Sequence, residues 1–183
     1  MATRERKQWL VIIDMQEIFA QEGSQWHCPE YRQAEAVLEP IAANFPGRVI
    51  WTRFVRDDKE EGSWRGYYER WDQCREASES HAWDLTLPTR PDDLILTRPT
   101  FSKWDAELLN MTSCEDDIVV GGVATDCCVL GTVLGAVDAG RHVTVIRDGC
   151  AGASRKVHEE ALSLMDMLSP MVSIRQSTEL EFR

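Results

Sequence analysis

Short apolar runs rich in β-branched residues alternate along the chain with stretches whose apolar side chains recur every three or four positions. Residues 9–13, Trp-Leu-Val-Ile-Ile, are apolar throughout, the pattern of a strand buried on both faces. Residues 48–52, 94–97, 118–121, 142–146 and 171–174 predict five further strands. Residues 30–44 place Ala34, Val37, Leu38 and Ile41 on one stripe and predict a helix. Further helices are predicted over 104–110, over 127–139 with Gly140 as the stop, and over 154–167 with Ser154 as N-cap. Strand–helix alternation of this kind predicts an α/β fold: a doubly wound, Rossmann-like, six-stranded and mainly parallel sheet with helices on both faces. Residues 1–183 are read as one domain, since a chain of this length fills one core.

Residues 57–84 break the alternation. They carry Trp64, Tyr67, Tyr68, Trp71 and Trp83 among many charges. Two readings stand: a surface insertion that packs its aromatics on the domain, or a lid or subunit contact bordering a site. Residues 176–183 are read as a loose tail.

In doubly wound sheets the ligand sits beyond the carboxyl ends of the strands. That rule selects Asp14, Arg53, Arg98, the 122–128 loop and Asp148. The loop is the densest signal: Gly-Gly-Val-Ala-Thr-Asp-Cys-Cys-Val over 121–129. Small residues let a substrate approach the backbone. Orphan N–H groups at a helix start favour a thiolate and an oxyanion, so a cysteine here is expected to have a lowered pKa. The competing reading makes Cys127 and Cys128 small buried fillers. Asp14 closes an apolar strand and suits a general base at the cleft floor, or a turn cap.

Charge narrows the function classes. Thirty-one acids against 20 bases give a net charge of −11, which disfavours nucleic-acid binding and adhesion to anionic membranes. No run of about 18 apolar residues is present to span a bilayer. The charged residues 1–7 and the short apolar run after them do not resemble an export signal, so a cytoplasmic protein is expected. The six cysteines form no CxxC pair and are expected to be reduced.

Val11-Ile12-Ile13-Asp14-Met15-Gln16-Glu17-Ile18-Phe19 and Gly122-Val123-Ala124-Thr125-Asp126-Cys127-Cys128-Val129 resemble the two signature segments of the isochorismatase-like cysteine hydrolases. That family includes nicotinamidases, N-carbamoylsarcosine amidases and ureidoacrylate amidohydrolases. Gly131-Thr132, Asp138-Ala139-Gly140 and Val145-Ile146-Arg147-Asp148 also match, so the likeness runs from about residue 8 to 174. The resemblance implies a six-stranded parallel sheet and a Cys–Asp–Lys triad. It makes Asp14 the base and Cys128, the cysteine directly before Val, the nucleophile. It implies a cis peptide before Ala124, with the N–H groups of Ala124 and Cys128 as oxyanion donors. It also implies Phe19 in the pocket.

Two departures stand out. The family lysine follows the third strand, and here residues 98–104 read Arg-Pro-Thr-Phe-Ser-Lys-Trp. Aligned on Phe101-Ser102 and Trp104, the lysine position holds Arg98, which is expected to complete the triad, with Lys103 as the alternative cation. The second departure concerns the metal of the nicotinamidases, held by an Asp-x-His…His cluster after the second strand. Residues 52–58 contain no histidine, and His27, His81, His142 and His158 are scattered at unremarked positions. No metal and no cofactor are expected, and nicotinamide ranks low as substrate. Arg53, Thr125, Phe19 and Trp104 are expected to contact a small-molecule substrate, with Arg53 and Arg56 meeting a carboxylate or ureido oxygen, or forming a surface salt bridge with the 57–61 run. The reading is a cysteine-dependent hydrolase of a small amide, ureido or related C–N bond. The alternatives are a vinyl ether hydrolase of the isochorismatase type, or a non-catalytic binding member in which Arg98 has replaced the lysine. A dimer or tetramer of identical chains is expected by the same resemblance.

Overall fold

The computed structural model describes residues 6–182. Residues 1–5, part of the charged leader read above, and Arg183 lie outside the described residues.

Six parallel strands form one sheet: β1 (Gln8–Ile13), β2 (Val49–Phe54), β3 (Leu94–Arg98), β4 (Asp117–Val123), β5 (Val143–Ala151) and β6 (Val172–Arg175). Their order is β3-β2-β1-β4-β5-β6. Leu10, Val11, Ile12 and Ile13 are all fully buried. Successive strand residues point to opposite faces, so both faces of β1 are covered. The helices that cover the sheet are α2 (Tyr31–Ala42), α5 (Leu130–Asp138) and α6 (Arg155–Asp166). The shorter α1 (Glu17–Ala20), α3 (Trp64–Arg70) and α4 (Ala106–Met111) lie in the connections.

All six predicted strands are present. The main difference is β5, which continues five residues past Ile146 to Ala151. Asp148 therefore lies within a strand, where it accepts hydrogen bonds from the Ser177 N–H and hydroxyl. That anchor and an edge-to-face contact of Phe182 with Phe45 hold the C-terminal segment in place, so it is not a loose tail as far as residue 182.

The strand order reverses at β1 and β4, the switch point where doubly wound folds place their ligands. These two strands approach closely at their carboxyl ends. Gly122 sits opposite Ile13 with φ +120°, and a Cβ there would lie 2.1 Å from the Ile13 carbonyl oxygen. Only glycine fits a backbone of that hand and closeness. Asp14, the next residue of β1's exit, is itself left-handed at φ 50°. Gln16 then ties this exit to its neighbours: its amide donates to the Phe54 and Trp83 carbonyls (3.0 and 2.7 Å) and accepts from the Phe54 N–H (2.8 Å).

Candidate active site

Asp14 is fully buried. The Thr52 hydroxyl donates to its Oδ1 at 2.6 Å and accepts from its backbone N–H at 3.1 Å, which fixes the carboxylate from β2. Oδ2 faces Lys103 Nζ at 2.9 Å, and both side chains have no solvent exposure. Lys103 also donates to the Thr100 carbonyl at 2.6 Å, and its ammonium sits 4.7 Å from the centre of the Phe54 ring. A buried ion pair carries a large desolvation cost, which surrounding hydrogen bonds and the cation–π contact offset.

Arg98 does not take this position. It ends the edge strand β3, and its guanidinium turns to Asp105 and Glu107 at the start of α4 and to the Thr97 carbonyl. The expectation for Arg98 at the triad is thereby corrected, and Lys103 is the cation beside Asp14. The physical reason is the path of the chain. Residues 99–105 fold back over the sheet end and do not continue the strand, so Lys103 drops inward from a loop. That loop is seated on α5: the Lys103 N–H donates to the Thr132 hydroxyl at 2.9 Å, which donates in turn to the Cys128 carbonyl at 2.7 Å. A Cβ on Gly135 would lie 2.8 Å from Trp104 Cβ, so a bare backbone on α5 admits the loop.

The loop that carries Cys127 and Cys128 leaves β4 through a cis peptide between Val123 and Ala124, then forms a wide π-type turn over Thr125–Val129 before α5. The Ala124 carbonyl accepts from the N–H groups of Cys127 (3.0 Å) and Val129 (3.1 Å), and not from that of Cys128 between them. The Asp126 carboxylate accepts from the Ala153 N–H at 3.0 Å. All six cysteines are free thiols.

The expected lowering of the Cys128 pKa is reversed. Its contact with the Cys127 sulfur, burial and the Asp14 carboxylate hold the thiol well above the ordinary range, and only Lys103 pulls it down. Half-exposed Cys127 is shifted below its ordinary range, chiefly by the hydrogen bond from Cys128. Cys128 therefore rests as a thiol and needs a base to become a nucleophile.

Cys127, Cys128 and Ala124 form one side of a cavity of about 140 Å³, of the size that accepts a single benzene ring. Phe19, Trp26, Phe54, Tyr67, Trp71 and Phe101 supply the other walls. Phe19 and Trp26 stack at 5.8 Å, and Tyr67 meets Phe101 edge-on at 5.4 Å. Within the insertion Tyr68 and Trp83 are buried against the domain, while Tyr67 and Trp71 border the cavity. Trp26 and Phe101 were not anticipated as walls. Both belong to loops whose position is set by aromatic contacts distant in sequence.

Three expected substrate contacts are corrected. Arg53 donates to the Trp83 carbonyl at 3.2 Å and does not border the cavity. Trp104 packs on Gly135 and beneath the Arg141 guanidinium (5.5 Å), behind the Lys103 loop. Thr125 is buried, its hydroxyl 2.8 Å from His158 Nδ1. His158, read from sequence as an unremarkable helix position, thus touches the nucleophile turn. Arg56 is held by Glu60 and Asp58 at 2.6 Å each, the salt-bridge alternative. In the stretch 52–58, which holds no histidine, Arg53 lies within β2 and Arg56 follows it, and both are engaged as described. Among the described residues no three His, Cys, Asp or Glu side chains are grouped to hold an ion. Nor is any helix among them long and apolar enough to cross a membrane.

Residues 8–176 match the model of the isochorismatase domain. A nicotinamidase from Escherichia coli (strain K12) is 44% identical over 52 residues, a match covering 28% of this chain and 24% of that protein's length. Among solved structures, an isochorismatase family protein from Desulfovibrio vulgaris subsp. vulgaris str. Hildenborough superposes with a TM-score of 0.81 at 18% identity, over 95% of this chain and 96% of the other. N-carbamoylsarcosine amidase from Thermoplasma acidophilum gives 0.76 at 16% identity, over 96% and 99%. The nicotinamidase of Bacillus subtilis gives 0.75 at 19%, over 93% and 99%.

Proposed function

The chain belongs to the isochorismatase family of hydrolases, and from that footing we propose that it hydrolyses small, uncharged carboxamides through a thioester on Cys128. The observation that carries this reading is the buried Asp14–Lys103 pair beneath an aromatic cavity that Cys128 borders. Asp14 takes the Cys128 thiol proton as sulfur attacks the amide carbon, and Lys103 supplies the compensating charge beside the carboxylate. The oxyanion is met by the Cys128 and Ala124 N–H groups. Asp14 returns the proton to nitrogen, the C–N bond breaks, and the amine leaves. Water, deprotonated by Asp14, then cleaves the thioester.

The cavity supports the substrate class. Its walls are flat and apolar, and the one ionisable carboxylate among them, Asp126, repels anions. Among the described residues no arginine or lysine borders it, so a carboxylate-bearing ureido substrate has no cationic partner from them there. The non-catalytic reading rested on Arg98 in the lysine position, and Lys103 removes that premise. We place the enzyme in the cytoplasm as a single-domain protein, in keeping with six free thiols, and assembled as a dimer or tetramer.

The test is a panel of primary amides, benzamide among them, with ammonia release as readout and mass spectrometry of the quenched protein. Acylation mapped to Cys128, and its absence in Cys128→Ala, is the expected result. Full activity in Cys128→Ala overturns the mechanism.

A further inference from the structure

The mechanism above gives no task to His158, a buried ionisable side chain beside the 125–129 turn. His158 lies on α6, outside the aromatic cavity, with 6% of its surface exposed. Its Nδ1 is 2.8 Å from the hydroxyl of Thr125, which is itself fully buried. Thr125 stands between the two proposed oxyanion donors, one residue after Ala124 and three before Cys128. The turn has no side-chain cap of its own. What holds it on this side is the β5–α6 junction: the Ala153 N–H on Asp126, and His158 on Thr125. Gly152 packs against both partners, since a Cβ there would lie 2.7 Å from Asp126 Oδ1 and 3.1 Å from His158 Cβ. The other side of the imidazole borders a cleft of about 360 Å³ lined by Glu30, Arg147, Asp148, Arg155 and Glu159. His158 is thus a strut between an open polar cleft and the back of the nucleophile turn.

We propose that His158 is a positioning residue for catalysis: by holding the Thr125 hydroxyl it aims the Ala124 and Cys128 N–H groups at the oxyanion. The proposal rests on the amidohydrolase reading. A neutral imidazole and a hydroxyl satisfy one another in either tautomer. Burial favours that neutral form by pulling His158 below the ordinary histidine range. Glu159, Glu30 and Asp126 oppose the shift and Arg147 adds to it. An oxyanion exists only in the transition state and the tetrahedral intermediate. Loss of aim therefore lowers kcat and leaves the binding of the neutral amide untouched.

The experiment uses the full chain with benzamide or the best amide of the panel. His158→Ala is expected to lose about 10- to 100-fold in kcat, the range for donors misplaced by a fraction of an ångström to 1 Å, with KM within about twofold. His158→Asn, which keeps a hydrogen-bonding group, is expected to recover most of the rate. Thr125→Val is expected to match His158→Ala while Thr125→Ser stays near wild type. The double variant His158→Ala/Thr125→Val is expected to be no slower than either single one, because both remove the same contact. Wild-type kcat in His158→Ala, losses that multiply in the double variant, or a loss carried by KM overturns the proposal. Should His158→Ala fail to fold, Thr125→Val against Thr125→Ser decides it: equal kcat in the two overturns it. A wild-type protein that hydrolyses no amide defeats the underlying amidohydrolase reading, a failure distinct from these.

Discussion

Replacing Lys103 by alanine tests the centre of the site. The ammonium is fully buried and stands 2.9 Å from an equally buried Asp14 carboxylate. Removing one partner of such a pair leaves the other charge uncompensated, at a cost of about 3–5 kcal/mol. A chain of this size has a total stability of roughly 5–15 kcal/mol, so the change removes about a fifth of it or more. At about 2–4 °C per kcal/mol for a protein of this length, the melting temperature is expected to fall by roughly 6–20 °C. The same variant is expected to lose about 10²–10³-fold in kcat, the size typical of removing one preorganised electrostatic contact. Arg98→Ala is the matched control. Its guanidinium is a quarter exposed and pairs with half-exposed Asp105 and Glu107. Exposed pairs of that kind contribute about 0–1 kcal/mol. Arg98→Ala is therefore expected to melt within a few degrees of wild type and to keep its activity. Denaturation scans and ammonia release on the two purified variants make the comparison. A fully active, fully stable Lys103→Ala beside an inactive Arg98→Ala would refute the reasoning, because it would return the catalytic cation to the strand end.

Three more measurements bear on the site. Iodoacetamide at neutral pH, without substrate, is expected to alkylate half-buried Cys127 before buried Cys128, since the contact with Cys127, burial and Asp14 keep the latter protonated; peptide mapping that finds Cys128 first contradicts the assigned resting state. Folding depresses the His158 pKa below the unfolded value near 6.5, so the unfolded chain binds the extra proton. Its contribution to stability is then full above about pH 6.5 and is lost as pH falls toward the folded value. His158→Gln is expected to flatten the stability curve in that window, and an unchanged slope rejects the assignment. Dialysis against a chelator is expected to leave the amidase rate unchanged, since Arg53 and Arg56 occupy the stretch where relatives carry metal ligands; recovery of a lost rate by zinc, iron or manganese would show a donor set elsewhere.

What the sequence made legible depended on how local the cause was. The central strands, buried on both faces, read as unbroken apolar runs, and the half-exposed edge strands β3 and β6 kept shorter β-branched runs, so all six were visible. The second half of β5 was missed because Arg147-Asp148-Gly149 interrupts the apolar run, at an irregularity after which Cys150 and Ala151 resume pairing with Gly122 and Val123 of β4. Asp14 and Cys128 could be singled out as candidates because each lies at a strand end or in the turn after it. Lys103 stood only as the alternative cation, because its place beside Asp14 depends on a loop reversing direction and resting on Thr132 and Gly135, about 30 residues away. Spacing counted along an extended chain put Arg98 there instead. His158 was passed over for the same reason: on a helix it is one polar residue among many, and only the packing of α6 on the nucleophile turn gives it a neighbour. Trp26 joins the cavity through contacts with Phe19, Phe54, Tyr67 and Tyr68, none of which sequence spacing reveals.

The origin of the cavity walls has a consequence for how such an enzyme changes over time. Asp14 and the turn that carries Cys128 sit where the ends of β1 and β4 meet, in a frame so tight that even a methyl group at Gly122 has no room. Tyr67, Trp71, Trp26 and Phe101 come from connecting segments that contribute no strand to that frame. Substitutions at these four positions reshape the room offered to the acyl group while the ion pair and the sulfur stay where they are. Selectivity and chemistry are therefore separately heritable. A descendant, or a designer, can exchange the guest by editing a few aromatic side chains and inherit the reaction whole.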